Sequence, residues 1–276
     1  MIEFTRKIDD PSGIVSKLLF EDECAIAEAV VYRYMDRGVI CFSVQSGCPV
    51  GCVFCGTGKR FIRNLTREEI ELQIETCLPI IRDRDKIQLM AMSMGEPLYN
   101  FENLPIAQYL ACGYFFFVSS VGLENFDYDK IIRISEKWER FGFQISLHDW
   151  KEDRRKQLLG NHGNLASISK LIEVSEKYRT RCGRPMYFNY IATGEETKQD
   201  VEKILDIVSH GHITVSVLCP KNLDRGDPEP AKNLAAMILD ANPSQSIKLF
   251  DPAGQDTIGG GCGQLLYVQE KFNQLK

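Results

Sequence analysis

The 276-residue sequence has no apolar run of eighteen residues, which is about the length that a membrane-spanning helix needs. Its N-terminus, MIEFTRKIDDPSG, carries charges where a signal peptide needs an apolar core. We therefore expect a cytoplasmic protein without membrane contacts. In a reducing compartment, its ten cysteines are expected to be metal ligands, catalytic thiols or small buried residues rather than a disulfide scaffold.

An excess of positive charge is also missing. The formal net charge is −5, so the composition does not indicate a uniformly basic surface for nucleic acid, although it leaves room for local basic patches. The 44% hydrophobic and 26% charged residues are typical of a globular protein with a sizeable core. No internal repeat, low-complexity tract or obvious linker divides the chain.

Strand-like and helix-like segments alternate along most of the sequence. Early strands are expected at 16–20, 25–32 and 39–45, followed by a helix that Thr66 and Glu69 can cap. Later strands are expected at 86–94, 114–120, 143–148, 186–192, 213–218 and 247–250, with helices such as 101–112 between them. This pattern predicts an α/β fold with a parallel sheet, arranged as a partial (β/α)6 barrel. We expect residues 1–38 to form a short N-terminal β extension and residues 39–276 to form the barrel with a C-terminal cysteine loop.

Four of the ten cysteines lie in the segment CFSVQSGCPVGCVFC, at 41–55. Cys48, Cys52 and Cys55 have the spacing C-x3-C-x2-C, and residues 56–75 contain no further cysteine or histidine. Three thiolates can bind a [4Fe–4S] cluster and leave one iron open to a small chelating molecule. A structural zinc site needs a fourth ligand. A zinc knuckle or unrelated buried cysteines are the plainer alternatives.

Polar residues recur where the predicted strands end. The tripeptide GEP follows the strand 86–94, and Ser119 ends the strand 114–120. SLH ends the strand 143–148, and Cys219 follows the strand 213–218. The carboxyl ends of parallel barrel strands meet at one end of the barrel. We therefore expect one site that gathers these residues and the cysteine triplet.

The triplet and MGEP (94–97) resemble the signature of radical S-adenosylmethionine (SAM) enzymes. More narrowly, five segments resemble the RlmN/Cfr family of methyl synthases, which act on adenine carbons of RNA: CFSVQSGCPVGCVFCGTGKRFIRNLTREEI, MSMGEPLYN, VSSVG, ISLH and GGCGQL. The resemblance runs from about residue 16 to about 268. It implies a radical SAM C-methyltransferase (methyl synthase) with a [4Fe–4S] cluster on Cys48, Cys52 and Cys55, and with SAM on the open iron.

The resemblance also implies contacts with SAM. Gly95 and Glu96 would meet its amino acid end, and Ser119 its carboxylate or ribose. The adenosine side would be lined by Ser146, Leu147 and His148. The family has an asparagine at the end of the strand that corresponds to 213–218, where this chain has Cys219. Asn222 is a candidate to make the contact of that asparagine.

Two further thiols and a glutamate match positions that the family uses. By resemblance, Cys262 in GGGCGQLLY accepts a methyl group from one SAM, and a second SAM yields a radical that takes a hydrogen from it. The resulting carbon radical adds to an sp2 carbon of the substrate, and Cys41 then forms a disulfide with Cys262 and frees the product. Glu28 matches a suggested proton acceptor. The alternatives are buried small residues for the two thiols and an outward-facing strand glutamate for Glu28.

The substrate is less clearly indicated. The resemblance implies RNA, but we expect the helical accessory domain of the ribosomal enzymes to be lacking, so a small RNA, a free nucleotide or another small heteroaromatic also fits. The basic runs 58–63, 151–156 and 177–184 are candidates for phosphate contacts or solvated faces. An electron donor such as flavodoxin or ferredoxin and a monomeric state are expected. A glycyl-radical activase, a methylthiotransferase and a non-catalytic SAM or RNA sensor are the other interpretations.

Overall fold

The computed structural model describes residues 1–58, 60–208 and 211–274, and its main element is a ten-stranded sheet. A separate two-stranded hairpin, β5 and β6, brackets the cysteine triplet. The strands are β1 (Glu3–Asp9), β2 (Val15–Glu21), β3 (Ile26–Arg33), β4 (Gly38–Phe42), β5 (Gln45–Gly47), β6 (Phe61–Asn64), β7 (Ile87–Ala91), β8 (Phe115–Ser120), β9 (Phe141–Ser146), β10 (Tyr187–Ile191), β11 (His212–Ser216) and β12 (Ile247–Phe250).

Within the large sheet the order is β1-β2-β3-β4-β7-β8-β9-β10-β11-β12. The pairs from β1 to β4 are antiparallel, and every pair from β4 to β12 is parallel. The helices are α1 (Arg67–Ile81), α2 (Ile106–Ala111), α3 (Asp129–Lys137), α4 (Glu152–Leu158), α5 (Ile168–Cys182), α6 (Lys198–Val208), α7 (Glu229–Ala241) and α8 (Leu266–Gln274). The predicted α/β fold with a parallel sheet is confirmed, and β1 and β12 are the two edges of the sheet in the described part of the chain.

The two faces of the parallel strands differ in burial. In β10, Phe188 and Tyr190 are buried, whereas Tyr187, Asn189 and Ile191 are half-buried, and β7, β8 and β11 show a similar alternation. Successive side chains of a strand point to opposite faces. One face is therefore packed beneath the helices, and the other lines a lumen that side chains do not fill.

The segment 251–265 lies between β12 and the N-terminal strands. Tyr32 in β3 donates a hydrogen bond from its hydroxyl to the carbonyl of Gly260, and Thr257 donates one to the carboxylate of Asp10. The backbone at Gly254 packs against Val15 in β2. These contacts hold the loop that carries Cys262 against the open side of the sheet.

Several elements differ from the expectations. The predicted strand 39–45 divides into β4 and β5 because the N–H groups of Val44 and Gln45 both bond to the carbonyl of Met94 instead of continuing the sheet. The predicted helix 101–112 is a 3-10 turn, Phe101–Asn103, followed by α2, since Pro105 interrupts the helical hydrogen bonds. Another 3-10 turn, Pro97–Tyr99, precedes it. The capping box of Thr66 and Glu69 on α1 is confirmed. None of the described helices has the length and apolar character needed to cross a membrane.

Candidate active site

The cysteine triplet lies in the loop between β5 and β6. The N–H of Cys48 donates to the carbonyl of Arg60 at 2.7 Å, which pins the start of the loop. Gly47 has a φ of 80°, and a Cβ there would lie 2.1 Å from the same carbonyl oxygen, so only glycine allows this approach. Cys48, Cys52 and Cys55 all line one cavity at the carboxyl ends of the parallel strands. We call it the cysteine cavity.

Burial raises the pKa of Cys48 to about 12 and that of Cys52 well above its usual range. In the described residues, no three Cys, His, Asp or Glu side chains are placed to share a single metal ion. A [4Fe–4S] cluster takes one thiolate on each of three irons, so its ligands line a cavity rather than meet at one point.

Gly95 and Glu96 form the edge of the cysteine cavity after β7. Gly95 has a φ of 102°, and a Cβ there would lie 2.7 Å from the Cβ of Gln45. The N–H of Glu96 donates to Oε1 of Gln45 at 2.8 Å. The buried carboxylate of Glu96 accepts from the N–H groups of Leu98 and Val121, each at 3.0 Å, and burial raises its pKa. Glu96 thus links the turn that follows β7 to the turn that follows β8.

Ser119, Ser146 and His148 also line the cysteine cavity. The hydroxyls of Ser119 and Ser146 are 3.4 Å apart, on β8 and β9. His148 has a φ of 62°, and its ring meets that of Phe54 edge-on at 5.1 Å. Burial lowers the pKa of His148 to about 3, so the ring is neutral at physiological pH. Its Nδ1 is buried and has no hydrogen-bond partner. Leu147, by contrast, has its side chain in the hydrophobic core, and its N–H donates to the carbonyl of Asn189.

A second cavity occupies the lumen of the sheet and is called the lumen cavity. Its walls include Glu28, Cys41, Gln88, Gln144 and Lys248, from β3, β4, β7, β9 and β12. Burial raises the pKa of Cys41 to about 12.

Glu28 is fully buried and faces the lumen cavity, so the outward-facing alternative is wrong. One carboxylate oxygen of Glu28 pairs with Lys17, and the other, Oε2, has no hydrogen-bond partner. The hydroxyls of Ser43 and Ser93 both donate to the backbone carbonyl of Glu28, at 2.8 Å and 2.6 Å, which fixes this part of β3.

Cys262 lines both cavities. Its side chain is accessible because it borders two empty spaces, yet protein surrounds it, and burial raises its pKa well above the usual range, with the thiols of Cys219 and Cys41 adding to the effect. The carbonyl of Gly263 accepts from the N–H of Gly56 at 2.6 Å, which ties the loop to the cysteine triplet. The predicted site residues of both cavities therefore meet at one thiol.

Comparisons with known proteins bear on this arrangement. Residues 42–208 match the model of the Radical SAM superfamily, which is more than half of the chain. The chain belongs to the radical SAM superfamily.

Among its relatives, a probable RNA methyltransferase of Pseudomonas aeruginosa is 30% identical over 91% of this chain and 72% of its own length. A probable dual-specificity RNA methyltransferase RlmN of Petrotoga mobilis is 26% identical over 94% of this chain and 77% of its own length. The structure of a radical SAM methyltransferase from Sphaerobacter thermophilus matches with a TM-score of 0.78 and 24% identity, over 95% of this chain and 80% of that one.

As a radical SAM methyltransferase, the protein uses a [4Fe–4S] cluster and SAM, and the residues present fit both. The three thiols share one cavity, and the unpartnered Nδ1 of His148 is a polar atom beside that cavity. The glycine at 95 lets the backbone edge of the same cavity pack directly on Gln45.

Sequence reasoning missed Asn189 in β10, which lines both cavities. Its Oδ1 accepts from the hydroxyl of Ser216 at 3.0 Å, and its carbonyl accepts from the N–H groups of Leu147 and His148. No motif marks Asn189, and only its inward position near a strand end could have identified it. Cys219 lines the cysteine cavity, whereas the side chain of Asn222 is exposed and donates to Asp224.

The basic runs are largely engaged within the protein. Arg155 is fully buried and donates to the carbonyls of Val121 and Ala166. Further basic residues of these runs form ion pairs, which are Arg63–Glu69, Lys151–Asp200, Arg154–Glu195 and Arg181–Glu136. Lys59 lies outside the described residues. These cations stabilise the fold whether or not some of them also meet phosphates.

Proposed function

We propose that this protein is a methyl synthase that transfers a methyl group, through Cys262, to an sp2 carbon of a nucleobase, and that the base is adenine in RNA. The observation that carries the proposal is the position of Cys262 in the walls of both cavities. A thiol there can receive a methyl group from one side and present it to a substrate on the other. The names of the relatives support RNA as the substrate.

When bound, the cluster and SAM supply a methyl group and a radical that abstracts hydrogen. Cys48, Cys52 and Cys55 would hold the cluster. SAM would lie along Gly95 and Glu96, the hydroxyls of Ser119 and Ser146, the backbone of Leu147, and His148. The neutral ring of His148 can offer a hydrogen bond to SAM without adding positive charge to the cavity.

The carbon of an adenine ring is too weak a nucleophile to displace a methyl group from SAM. A methyl group on Cys262 gives the protein a carbon that can be activated beside the substrate. Glu28 would accept the proton of the substrate carbon on its unpartnered Oε2. The unpaired electron of the adduct would leave in the same step, and the cluster, when bound, could accept it. The thiolate of Cys41 would then attack the sulfur of Cys262, so that an S–S bond forms, the C–S electron pair passes to the transferred carbon, and a proton completes the methyl group.

The position of the lumen cavity restricts the substrate. A base within a duplex cannot reach a thiol that lies inside the sheet, so an RNA substrate would present an unpaired or flipped-out base. A free nucleotide or another small heteroaromatic is the second candidate, favoured by the position of the cavity within the curved sheet and by the ion pairs that the basic runs make with carboxylates of the same chain. We also propose an external one-electron donor, such as flavodoxin or ferredoxin, to reduce the cluster. The division of the chain into an N-terminal β extension, residues 1–38, and a barrel domain, residues 39–276, is likewise a proposal.

The decisive experiment gives the anaerobically reconstituted enzyme methyl-labelled SAM and a mixed cell extract. Label in RNA, released as C2- or C8-methyladenosine on digestion, is the expected result. Label only in small metabolites would overturn the RNA assignment and support the second candidate. Unchanged turnover of Cys262→Ala would favour an activase or a methylthiotransferase, and SAM binding without turnover on any substrate would favour a sensor.

A further inference from the structure

Cys219 is a third thiol beside Cys262 that the proposed reaction leaves unused. It follows β11, is 4% exposed, and lines the cysteine cavity together with Cys262. Its sulfur also lies 3.6 Å from the carbonyl of Val217. The resemblance predicts an asparagine at this strand end, so the thiol is a property of this chain.

The loop that carries Cys262 packs directly on the sulfur of Cys219. A Cβ at Gly261 would lie 2.8 Å from this sulfur and 3.0 Å from the Cβ of Cys219, so glycine is needed for the contact. The backbone N–H of Cys262 donates to the same sulfur. This hydrogen bond favours the thiolate of Cys219 and opposes burial, which raises its pKa to about 11.

Cys41 and Cys219 approach Cys262 from different spaces. Cys41 lines the lumen cavity, Cys219 lines the cysteine cavity, and Cys262 borders both. Thiol–disulfide exchange needs a thiolate that reaches a disulfide sulfur from the side away from the leaving thiol. Placement in two cavities that meet at Cys262 meets this need.

We propose that, after each methyl transfer, Cys219 displaces Cys41 from its disulfide with Cys262 by thiol–disulfide exchange. The inference rests on the proposed function, which ends with a Cys41–Cys262 disulfide. The thiolate of Cys219 attacks the sulfur of Cys262, the Cys219–Cys262 bond forms, and the Cys41–Cys262 bond breaks. Cys219 loses a proton and Cys41 gains one, so the number of disulfides is unchanged and no outside oxidant is needed. The exchange restores a free Cys41 in the lumen cavity and moves the disulfide out of the space where product leaves.

The first test needs no substrate. Holoenzyme carrying Cys41→Ala is treated anaerobically with oxidised glutathione, alkylated with N-ethylmaleimide, digested and analysed for linked peptides by mass spectrometry. We expect most of the oxidised Cys262 to be paired with Cys219. The double variant Cys41→Ala/Cys219→Ser should stop at Cys262 joined to glutathione. The same glutathione adduct with unmodified Cys219 in Cys41→Ala would overturn the inference.

The second test follows a single turnover with the one-electron donor present but without any added thiol reductant. In wild-type enzyme the Cys41–Cys262 disulfide should appear first and the Cys219–Cys262 disulfide should replace it. Cys219→Ser should accept the methyl group on Cys262 before the turnover, and after methyl transfer it should stay at the first disulfide. Cys112→Ser, which changes an exposed cysteine, should behave as wild type. A wild-type enzyme that holds only the Cys41–Cys262 disulfide at all times would refute the exchange. If no methyl group reaches Cys262 in wild type, the proposed function fails instead, and the glutathione experiment still shows separately whether Cys219 pairs with Cys262.

Discussion

The cysteine cavity and the lumen cavity share Cys262, but their walls come from different kinds of segment. The cysteine cavity is built largely from turns at strand ends, where glycines such as Gly47 and Gly95 hold backbone in conformations that other residues avoid. The lumen cavity is built from inward-facing side chains of several strands, such as Gln88, Gln144 and Lys248. A cofactor common to many proteins can be bound by a recurring local shape, whereas a particular substrate is met by side chains that vary freely on a fixed sheet.

The largest expected effect comes from removing the residue that the cavities share. Cys262→Ala should give no methylated product above background, because no thiol then joins the two spaces, whereas SAM cleavage without product should persist. Product by liquid chromatography and 5′-deoxyadenosine formation measure the two outcomes, with Cys112→Ser as the control. Product formation by Cys262→Ala at even a tenth of the wild-type rate would contradict the role of Cys262.

Removing the thiol of Cys41, which faces the lumen cavity, should stop the reaction after the covalent adduct has formed. Cys41→Ala should form the covalent link between Cys262 and the substrate and then stall, since the attack that releases the product is lost. Intact-protein mass spectrometry should show the added mass, and peptide mapping should place it on Cys262. Free product with no trapped adduct would mean that another group releases the methyl group.

Glu28→Gln keeps the size of the buried side chain but removes its ability to take a proton. The rate of product formation should fall by about 10²–10⁴-fold, the usual contribution of a general base. Because the substitution also alters the pair with Lys17, thermal unfolding should be measured beside the rate, and methylation of Cys262 should be checked. Near-normal product formation would assign Glu28 a structural role only.

Gln144 and Ser146 offer a matched pair, two residues apart on β9, with Gln144 in the lumen cavity and Ser146 in the cysteine cavity. Loss of one hydrogen bond costs roughly 0.5–1.5 kcal/mol, or about two- to tenfold in affinity. Gln144→Ala should raise the KM for the methyl acceptor by this factor and leave SAM binding unchanged. Ser146→Ala should do the reverse. If both variants affect the same ligand, the assignment of one ligand to each cavity is wrong.

Glu69, outside both cavities, should affect stability alone. Burial of its carboxylate would raise the pKa, but hydrogen bonds from Arg63 and from the N–H groups of Thr66 and Ile2 outweigh it and lower the pKa to about 2. The stabilisation is therefore present above the usual pKa of 4.5 and is lost as the pH falls through about 2. Glu69→Gln should lower the free energy of unfolding at neutral pH by on the order of 3 kcal/mol.

Chemical denaturation of both proteins between pH 7 and pH 2 measures this effect. The difference between wild type and Glu69→Gln should shrink as the pH falls, while SAM binding at pH 7 stays the same. A difference that is constant with pH would show that the charge of Glu69 is not the stabilising feature.

Residues whose role depends on near neighbours could be predicted from the sequence. The cysteine triplet, the turn at Gly95 and the cap of Thr66 on α1 each depend on a few consecutive residues, and the structure places them as expected. Asn189 could not be identified, because its importance comes from the meeting of several strands. The contact between Cys219 and the loop at Gly261 joins segments more than forty residues apart. Such packing across the fold leaves no local pattern.

The hydrogen bonds that hold the loop of Cys262 also bear on the order in which the protein folds. Thr257 and Asp10 are 247 residues apart, and Tyr32 and Gly260 are 228 apart. Contacts of such long range carry a high entropic cost of loop closure and form after local structure. During synthesis, the segment proposed to bind the cluster is complete long before the thiol proposed to carry the methyl group has emerged. An unfinished chain would therefore be able to assemble a cofactor site with nothing to couple it to a substrate, and productive chemistry would begin only when the two distant ends of the sheet are brought together.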